Sequence, residues 1–347
     1  MKTLPIWMPI ILILIAALAC NSSAPGISPT ETAPSTLAPV VPTSTAVPVS
    51  SSTPDVPVIQ HVIVPGEPPQ ERTSYATDQD SFLTSTEKRA PGGDRFTFGK
   101  YERPFNGLTM DTYFPQVDIQ ETVSYFDSTW IYFSLTVKSW DVNQELSGKY
   151  GYEIDSDVDG YGDWLMLVSR PSVKEWTTDG VEVWYDSNND VGGSTPVFAD
   201  DQSAGDGYET RIFNQGEGDD PDLAWARIQP GQPFTIQFAI KWSLIENAKT
   251  YMAGAWAGGD MLDPWLFDLN DHFTHEQAGT SLVELEFFYP IKAIAELDNT
   301  CRVAIGFKPA GNEPGLCQSS EGDVCTPPQK MVCVDTVYGP SCYCSQP

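Results

Sequence analysis

The sequence predicts an all-β protein whose main body is an antiparallel β-sandwich of about ten strands. Three observations indicate this fold. Short apolar segments rich in β-branched and aromatic residues recur between residues 117 and 289. Glycine, proline, asparagine and aspartate separate these segments, as is typical of turns between strands. Helical patterns are brief, so helices contribute little to the predicted architecture.

The chain begins with an export signal, predicted over residues 1–20. Lys2 gives it a positive end, and its apolar run is too short to span a bilayer. The run ends in Ala-Leu-Ala before Cys20 and resembles a bacterial lipoprotein signal, in which the cysteine is lipidated. Ala17 departs from the usual large aliphatic residue, and an ordinary secretory cleavage after Ala19 is the alternative. We expect a cell-surface protein anchored through Cys20, or else a secreted one.

The segments that follow are divided by composition. Residues 21–57 are rich in serine, threonine and proline with few charges, and they predict a disordered linker, because a segment of this composition cannot bury a core. Residues 58–89 form a transition segment, with an edge strand predicted at 58–64. The sandwich domain is predicted at 90–297, and a Cys-rich C-terminal segment at 298–347.

Strand by strand, the sandwich begins with a hairpin over residues 117–137. A partly alternating segment is followed by a turn at Asp127 and by the apolar sequence WIYFSLTV. A short helix is predicted at 243–248. Further strands are predicted at 150–154, 164–168, 180–185, 208–213, 223–228, 234–240, 251–256 and 283–289.

Two acidic loops follow strands of this set. The first has the pattern D-x-D-x-D-G-x-G-D and contains Asp155, Asp157, Asp159 and Asp163. Carboxylates so close together repel one another, and their spacing is that of a calcium loop. The flanking segments predict strands, and Met166 stands where an EF-hand has glutamate. We therefore predict a β-hairpin or another strand connection held by Ca²⁺, with an uncoordinated acidic turn as the alternative.

The second acidic loop offers Asp186, Asn188 and Asp190 at alternate positions, followed by glycines. Oxygen ligands in this pattern also suit Ca²⁺, and an Asx-rich turn explains them equally well. In the prediction each loop caps neighbouring strands. We expect them to lie together at one end of the sandwich.

The charge restricts the partners of the protein. The formal net charge is −28, from 47 acidic and 19 basic residues. Nucleic acids and anionic lipid surfaces would be repelled, so membrane contact is expected only through the N-terminal lipid. Three tryptophans near the acidic loops are candidates for stacking on a pyranose ring, with core packing as the alternative. They are Trp164, Trp176 and Trp184.

The tail contains six of the chain's seven cysteines, Cys301, Cys317, Cys325, Cys333, Cys342 and Cys344. An exported chain favours disulfides between them, with a zinc site as the rival interpretation. The sequence leaves the connectivity open. Pairing of Cys301 with Cys317 is preferred, which leaves four cysteines for two further bridges.

No pattern for an enzyme emerges from the sequence. The chain lacks a G-x-S-x-G nucleophile motif and a phosphate-binding glycine loop. The chain has so many acidic residues that no catalytic pair of carboxylates can be singled out. A secreted glycoside hydrolase or other hydrolase therefore stays a minor alternative. We expect a protein that is not an enzyme.

Three segments carry a resemblance to a known family: the hairpin at 117–137, the acidic segment at 150–168 and the sequence GVEVWYDSNND. Together they resemble family 9 carbohydrate-binding modules and the related DOMON-type domains. The resemblance covers residues 90–290 and implies a β-sandwich that binds calcium and a sugar or haem. We identify no axial ligand pair for haem. The expected function is binding of an extracellular glycan or cell-envelope polymer, and the alternative is a structural or adhesive envelope protein.

Overall fold

The computed structural model describes residues 59–88, 100–107, 109–192, 207–259, 262–267, 296–310, 313, 316, 330–336 and 339–345. The predicted signal, its Cys20, the predicted linker, Cys317, Cys325 and the predicted strand 283–289 lie outside these residues. All ladders between the strands described are antiparallel, which confirms the all-β class.

The described strands number sixteen in chain order. They are β1 (Ser74–Thr77), β2 (Glu102–Arg103), β3 (Ile119–Phe126), β4 (Trp130–Val137), β5 (Lys149–Asp155), β6 (Trp164–Ser169), β7 (Val181–Tyr185), β8 (Thr210–Asn214), β9 (Glu217–Gly218), β10 (Ala224–Ile228), β11 (Thr235–Lys241), β12 (Tyr251–Gly258), β13 (Leu297–Asn299), β14 (Val303–Ile305), β15 (Lys330–Thr336) and β16 (Gly339–Ser345). The helices described are 3₁₀ turns at Ser81–Glu87, Trp242–Ile245 and Pro264–Leu266.

These strands form two large sheets and a separate hairpin. The five-stranded sheet has the order β1-β3-β4-β11-β10. The nine-stranded sheet has the order β2-β13-β12-β5-β6-β7-β8-β9, with β14 also paired to β12. Strands β15 and β16 pair with each other. Two antiparallel sheets of this kind fit the predicted sandwich.

The main core lies between the two large sheets. Tyr152 of β5 crosses it, stacking on Phe133 of β4 with ring centroids 4.2 Å apart and donating a hydrogen bond to the Ser134 carbonyl at 2.9 Å. Strand β12 alternates between the two faces of its sheet. Tyr251 and the alternate alanines face the core between the sheets, and Trp256 faces the outer side of the nine-stranded sheet. The two-residue period of a strand therefore separates the two faces.

The outer face of the nine-stranded sheet is buried as well. Leu165 and Leu167 of β6 pack there with Trp256, beneath Tyr208 and Phe267 from the connecting segments. A strand that is buried on both faces has no polar side to present to water. This explains why β6 reads as a continuous apolar run, WLMLV, and does not alternate.

The N-terminal boundary of the sandwich differs from the prediction. The segment 59–64 is not a strand, because the amides of Val62 and Ile63 both donate to Asp222 Oδ2 at 2.9 Å and are not available for a ladder. Val62 is 84% exposed. Strand β1, inside the predicted transition segment, instead pairs with β3 and forms the sheet edge.

At the other end, the sheet continues past the predicted division at residue 297. Strand β13 spans that position and pairs with β12, and β14 pairs with β12 further along. The first residues of the predicted Cys-rich segment are therefore part of the sandwich. Cys301, between these strands, is 7% exposed.

The register of the last hairpin leads to a testable disulfide assignment. Cys333 of β15 lies directly opposite Cys342 of β16. Directly opposed antiparallel residues have Cα atoms about 4.5–5.5 Å apart, inside the range that a disulfide spans. We expect peptide mapping of the unreduced protein by mass spectrometry to find a Cys333–Cys342 bridge. A bridge from Cys333 to Cys344 would contradict this register.

Candidate functional site

The first acidic loop connects β5 to β6 as a hairpin, as predicted. Ile154 pairs with Trp164 at its base, and the Asp163 amide donates to the Ile154 carbonyl at 2.9 Å. Gly160 turns the chain at a φ of 99°, a conformation that glycine adopts without strain. The loop therefore projects its aspartates from a fixed pair of strand ends.

Three of the four predicted ligands come together in this loop. Asp155, Asp157 and Asp159 each place one carboxylate oxygen within 4.8 Å of those of the other two. Two oxygens that share one calcium ion, each about 2.4 Å from it, can be up to about 4.8 Å apart. The spacing therefore suits a single bound Ca²⁺, and Asp157 and Asp159 are exposed, so an ion can enter from solvent.

Asp163 has a different role in the structure. Its Oδ2 accepts hydrogen bonds from the Ser156 amide at 2.6 Å and from the Ser156 hydroxyl at 2.5 Å. The described group of three carboxylates does not include it. Asp163 thus closes the hairpin, and its charge adds to the negative field that the three converging aspartates create.

Asp155 is the buried member of the group, with none of its surface exposed. Its carboxylate accepts hydrogen bonds from the amides of Val158 at 2.6 Å and Gly160 at 2.9 Å. Burial nevertheless raises the pKa of Asp155 to about 7, although Arg302 acts to lower it. Burial also raises the pKa of Asp157, and the negative charges of Asp159 and Asp163 raise it further. A divalent cation would favour the ionised forms of these groups.

Arg302 anchors the loop from below, and sequence reasoning missed it. Its guanidinium donates to the Gly160 carbonyl at 2.6 Å and to Glu153, and it lies 3.5 Å from Asp155. Trp256 Nε1 donates to the second oxygen of Glu153 at 3.0 Å. Burial acts to lower the pKa of Arg302, but Glu153 and Asp155 raise it above its ordinary value. No local pattern indicates this contact, because Arg302 is 142 residues from Gly160.

The second loop is organised by Asp186 as an Asx turn. Its Oδ1 accepts from the amides of Asn188 and Asn189 at 3.2 and 2.8 Å. Its Oδ2 accepts from the amides of Asp190 and Val191, both at 2.9 Å. Four backbone donors therefore occupy the carboxylate that was predicted as a ligand. Within the described residues, neither Asp186 nor Asp190 belongs to a group of three acids that can hold a metal.

The two loops lie together, as predicted. The Gly162 amide donates to the Val191 carbonyl at 2.6 Å, and Asn189 Nδ2 donates to Asp159 Oδ2 at 3.1 Å. The second loop thus contacts one of the three carboxylates of the first. Its structural effect is to support the candidate calcium loop from the side.

The three predicted tryptophans do not share one surface. Trp164 packs against the core between the sheets. Trp184 pairs with Leu165, the residue after Trp164, and packs with it on the outer face of the nine-stranded sheet. Trp176 lies by the five-stranded sheet, where the Arg227 guanidinium sits 4.4 Å from its ring centroid. All three are half-buried. They cannot act together on one ligand.

A different group of side chains surrounds Trp184, and we call it the aromatic patch: Glu182, Trp184, Arg211 and Trp265. Trp184 Nε1 donates to Glu182 Oε2 at 3.2 Å, and Arg211 Nη1 donates to Glu182 Oε1 at 2.8 Å. The Trp184 and Trp265 rings are 6.4 Å apart and nearly perpendicular, at 74°. Trp265 is 51% exposed. The patch thus combines an exposed aromatic face with fixed polar groups.

Comparisons with known proteins add no relative. No family model, curated protein or solved structure matches the chain. Within the described residues, none of the helices has the length and apolar character needed to cross a membrane. The function proposed below therefore depends on the geometry of the loops and of the aromatic patch.

Proposed function

We propose that this protein is an exported cell-surface protein whose calcium-stabilised β-sandwich binds an extracellular glycan through the aromatic patch. The observation that carries the proposal is the position of Trp265 and Trp184 beside Glu182 and Arg211. Sugar sites need an aromatic face for the C–H surface of the ring and polar groups for its hydroxyls. The patch supplies both within one surface.

The two rings suit a ligand with an apolar face and a polar edge. Because they are nearly perpendicular, one ring can stack on a pyranose while the other bounds it from the side. Glu182 offers acceptor oxygens and Arg211 offers donors close to the ring of Trp184, 5.4 Å from the guanidinium. These polar groups already hold one another in place, so little conformational entropy is lost when a sugar binds.

The candidate calcium loop supports the same end of the nine-stranded sheet. Trp184 is two residues before Asp186, which organises the second loop, and that loop contacts Asp159 of the first. A cation in the first loop would hold both loops and the adjoining end of β7 in one conformation. Calcium would then contribute to glycan affinity without touching the sugar.

Glycan binding is tested by replacing the aromatic residues one at a time. Trp265→Ala is expected to weaken binding of the best ligand from a glycan array by about tenfold or more, which corresponds to about 1.4 kcal/mol of lost stacking. Trp184→Ala is expected to act in the same direction. Calorimetric titration in calcium measures both affinities, and thermal melts show whether the variants are folded.

Trp176→Ala is the matched control, since this tryptophan is half-buried on another surface and donates to the Gly66 carbonyl. Its ligand affinity should equal that of the wild-type protein. If the array yields no ligand, or if both patch variants bind as well as the control, the patch is not a sugar site. Calcium-dependent adhesion to cells that free sugars do not inhibit would then favour the structural or adhesive role.

A further inference from the structure

A second group of converging carboxylates lies away from the acidic loops, at the edge of the sandwich. Asp78 directly follows β1, while Glu102 belongs to β2 and Asp298 to β13. Each offers an oxygen that lies within 4.8 Å of those of the other two. Nothing in the sequence pattern indicates this group, because its members come from three distant parts of the chain.

The three carboxylates are buried, unlike most of the acidic residues that the structure describes. Glu102 and Asp298 have no exposed surface, and the side chain of Asp78 has none either. Glu102 and Asp298 are directly opposed in the β2–β13 ladder, an arrangement in which like charges destabilise a sheet. Burial raises the pKa of both groups, and the negative charges of the neighbouring carboxylates raise it further.

A single lysine lies within 4.0 Å of these carboxylates in the described ion pairs. Lys100 Nζ is 2.7 Å from Asp78 Oδ1 and 3.9 Å from Glu102 Oε1. Asp298 Oδ2 accepts from the Ile119 amide at 2.6 Å. Among the described residues, the buried atoms Asp298 Oδ1 and Asp78 Oδ2 have no hydrogen-bond partner.

We propose that Asp78, Glu102 and Asp298 form a second, buried calcium site that ties the two sheets together at their edges. An all-oxygen set with this spacing suits a hard divalent cation, which also offsets the repulsion between the three carboxylates. Asp78 extends from the edge strand of the five-stranded sheet, and Glu102 lies on the edge strand of the nine-stranded sheet. The bound ion therefore links the edge strands of the two sheets.

The two sites differ in access to solvent, and this separates them experimentally. The loop site has two exposed ligands, whereas the edge site is buried. Purified full chain, loaded with Ca²⁺ and mixed with a fluorescent chelator, is expected to release calcium in a fast and a slow phase. Asp157→Asn should remove the fast phase and leave the slow phase, with one bound calcium per chain by elemental analysis. Glu102→Gln should remove the slow phase only.

Either of two results overturns the proposal: calcium-free Asp157→Asn protein, or a Glu102→Gln variant that binds as much calcium as the wild type. If Glu102→Gln does not fold, the double variant Asp157→Asn, Asp190→Asn gives the answer, because it lacks a carboxylate in each acidic loop. That variant must still hold one slowly released calcium per chain. If it holds none, the edge group binds no calcium.

Discussion

Replacing Arg302 with methionine is expected to lower the free energy of unfolding by about 3–5 kcal/mol, because it leaves buried carboxylates without their partner. Arg302 and Glu153 have only 8% and 4% of their side-chain surface exposed. The substitution also removes the donor to the Gly160 carbonyl, so the acidic loop loses its support. Urea denaturation followed by tryptophan fluorescence measures the change.

Arg211→Met is the matched control for this experiment. Arg211 also pairs with a glutamate, Glu182, but 43% of its side chain is exposed, and such pairs contribute about 1 kcal/mol or less. The double variant Arg302→Met, Glu153→Gln should recover part of the loss, since the unpaired buried charge is then gone. Equal losses from the two arginine variants would contradict the buried role assigned to Arg302.

Chelation of calcium is the second change with a large expected effect. If Ca²⁺ is present at about one hundred times its dissociation constant, its removal destabilises the folded state by about 2.7 kcal/mol. For a domain of this size, that lowers Tm by roughly 5–10 °C. Asp157→Ala is expected to lower Tm in calcium and to have little effect in chelator, because its contribution acts through the ion.

Differential scanning calorimetry in both conditions checks this expectation. Asp179→Ala serves as the control, since Asp179 is also an exposed turn aspartate but lies at the start of β7, away from the acidic loops. It should melt like the wild type in both buffers. Equal shifts for Asp157→Ala with and without calcium would show that the aspartate acts without a metal ion.

Local patterns predicted much of the fold. The hairpin of β3 and β4 and the apolar strand β6 were evident because each carries its own burial pattern. The pairing of β1, β13 and β14 was not evident from the sequence. These strands have four residues or fewer, and their positions in the sheets depend on partners that are distant in sequence. The predicted strand at 58–64 failed for a similar reason, since Asp222 takes the amides of Val62 and Ile63.

The same limit applies to the candidate site. Spacing alone grouped Asp155, Asp157 and Asp159, whose carboxylates converge in the structure, because candidate ligands in such a loop are close in sequence. It did not show that Asp163 would close the hairpin instead. Trp265 has no periodic context and sits in a single 3₁₀ turn, so only the three-dimensional structure places it beside Trp184.

The attachment of Arg302 to the acidic loop also constrains the order in which the protein is assembled. A nascent chain that has emerged through β12 holds all residues of that loop but lacks the arginine that neutralises Glu153. Such a partial chain would have to bury Glu153 without the Arg302 guanidinium to close its main sheet. Completion of the sheet must therefore await the C-terminal part, and contacts of such long sequence separation slow folding. Closure of the main sheet is therefore expected only after Arg302 has been added to the growing chain.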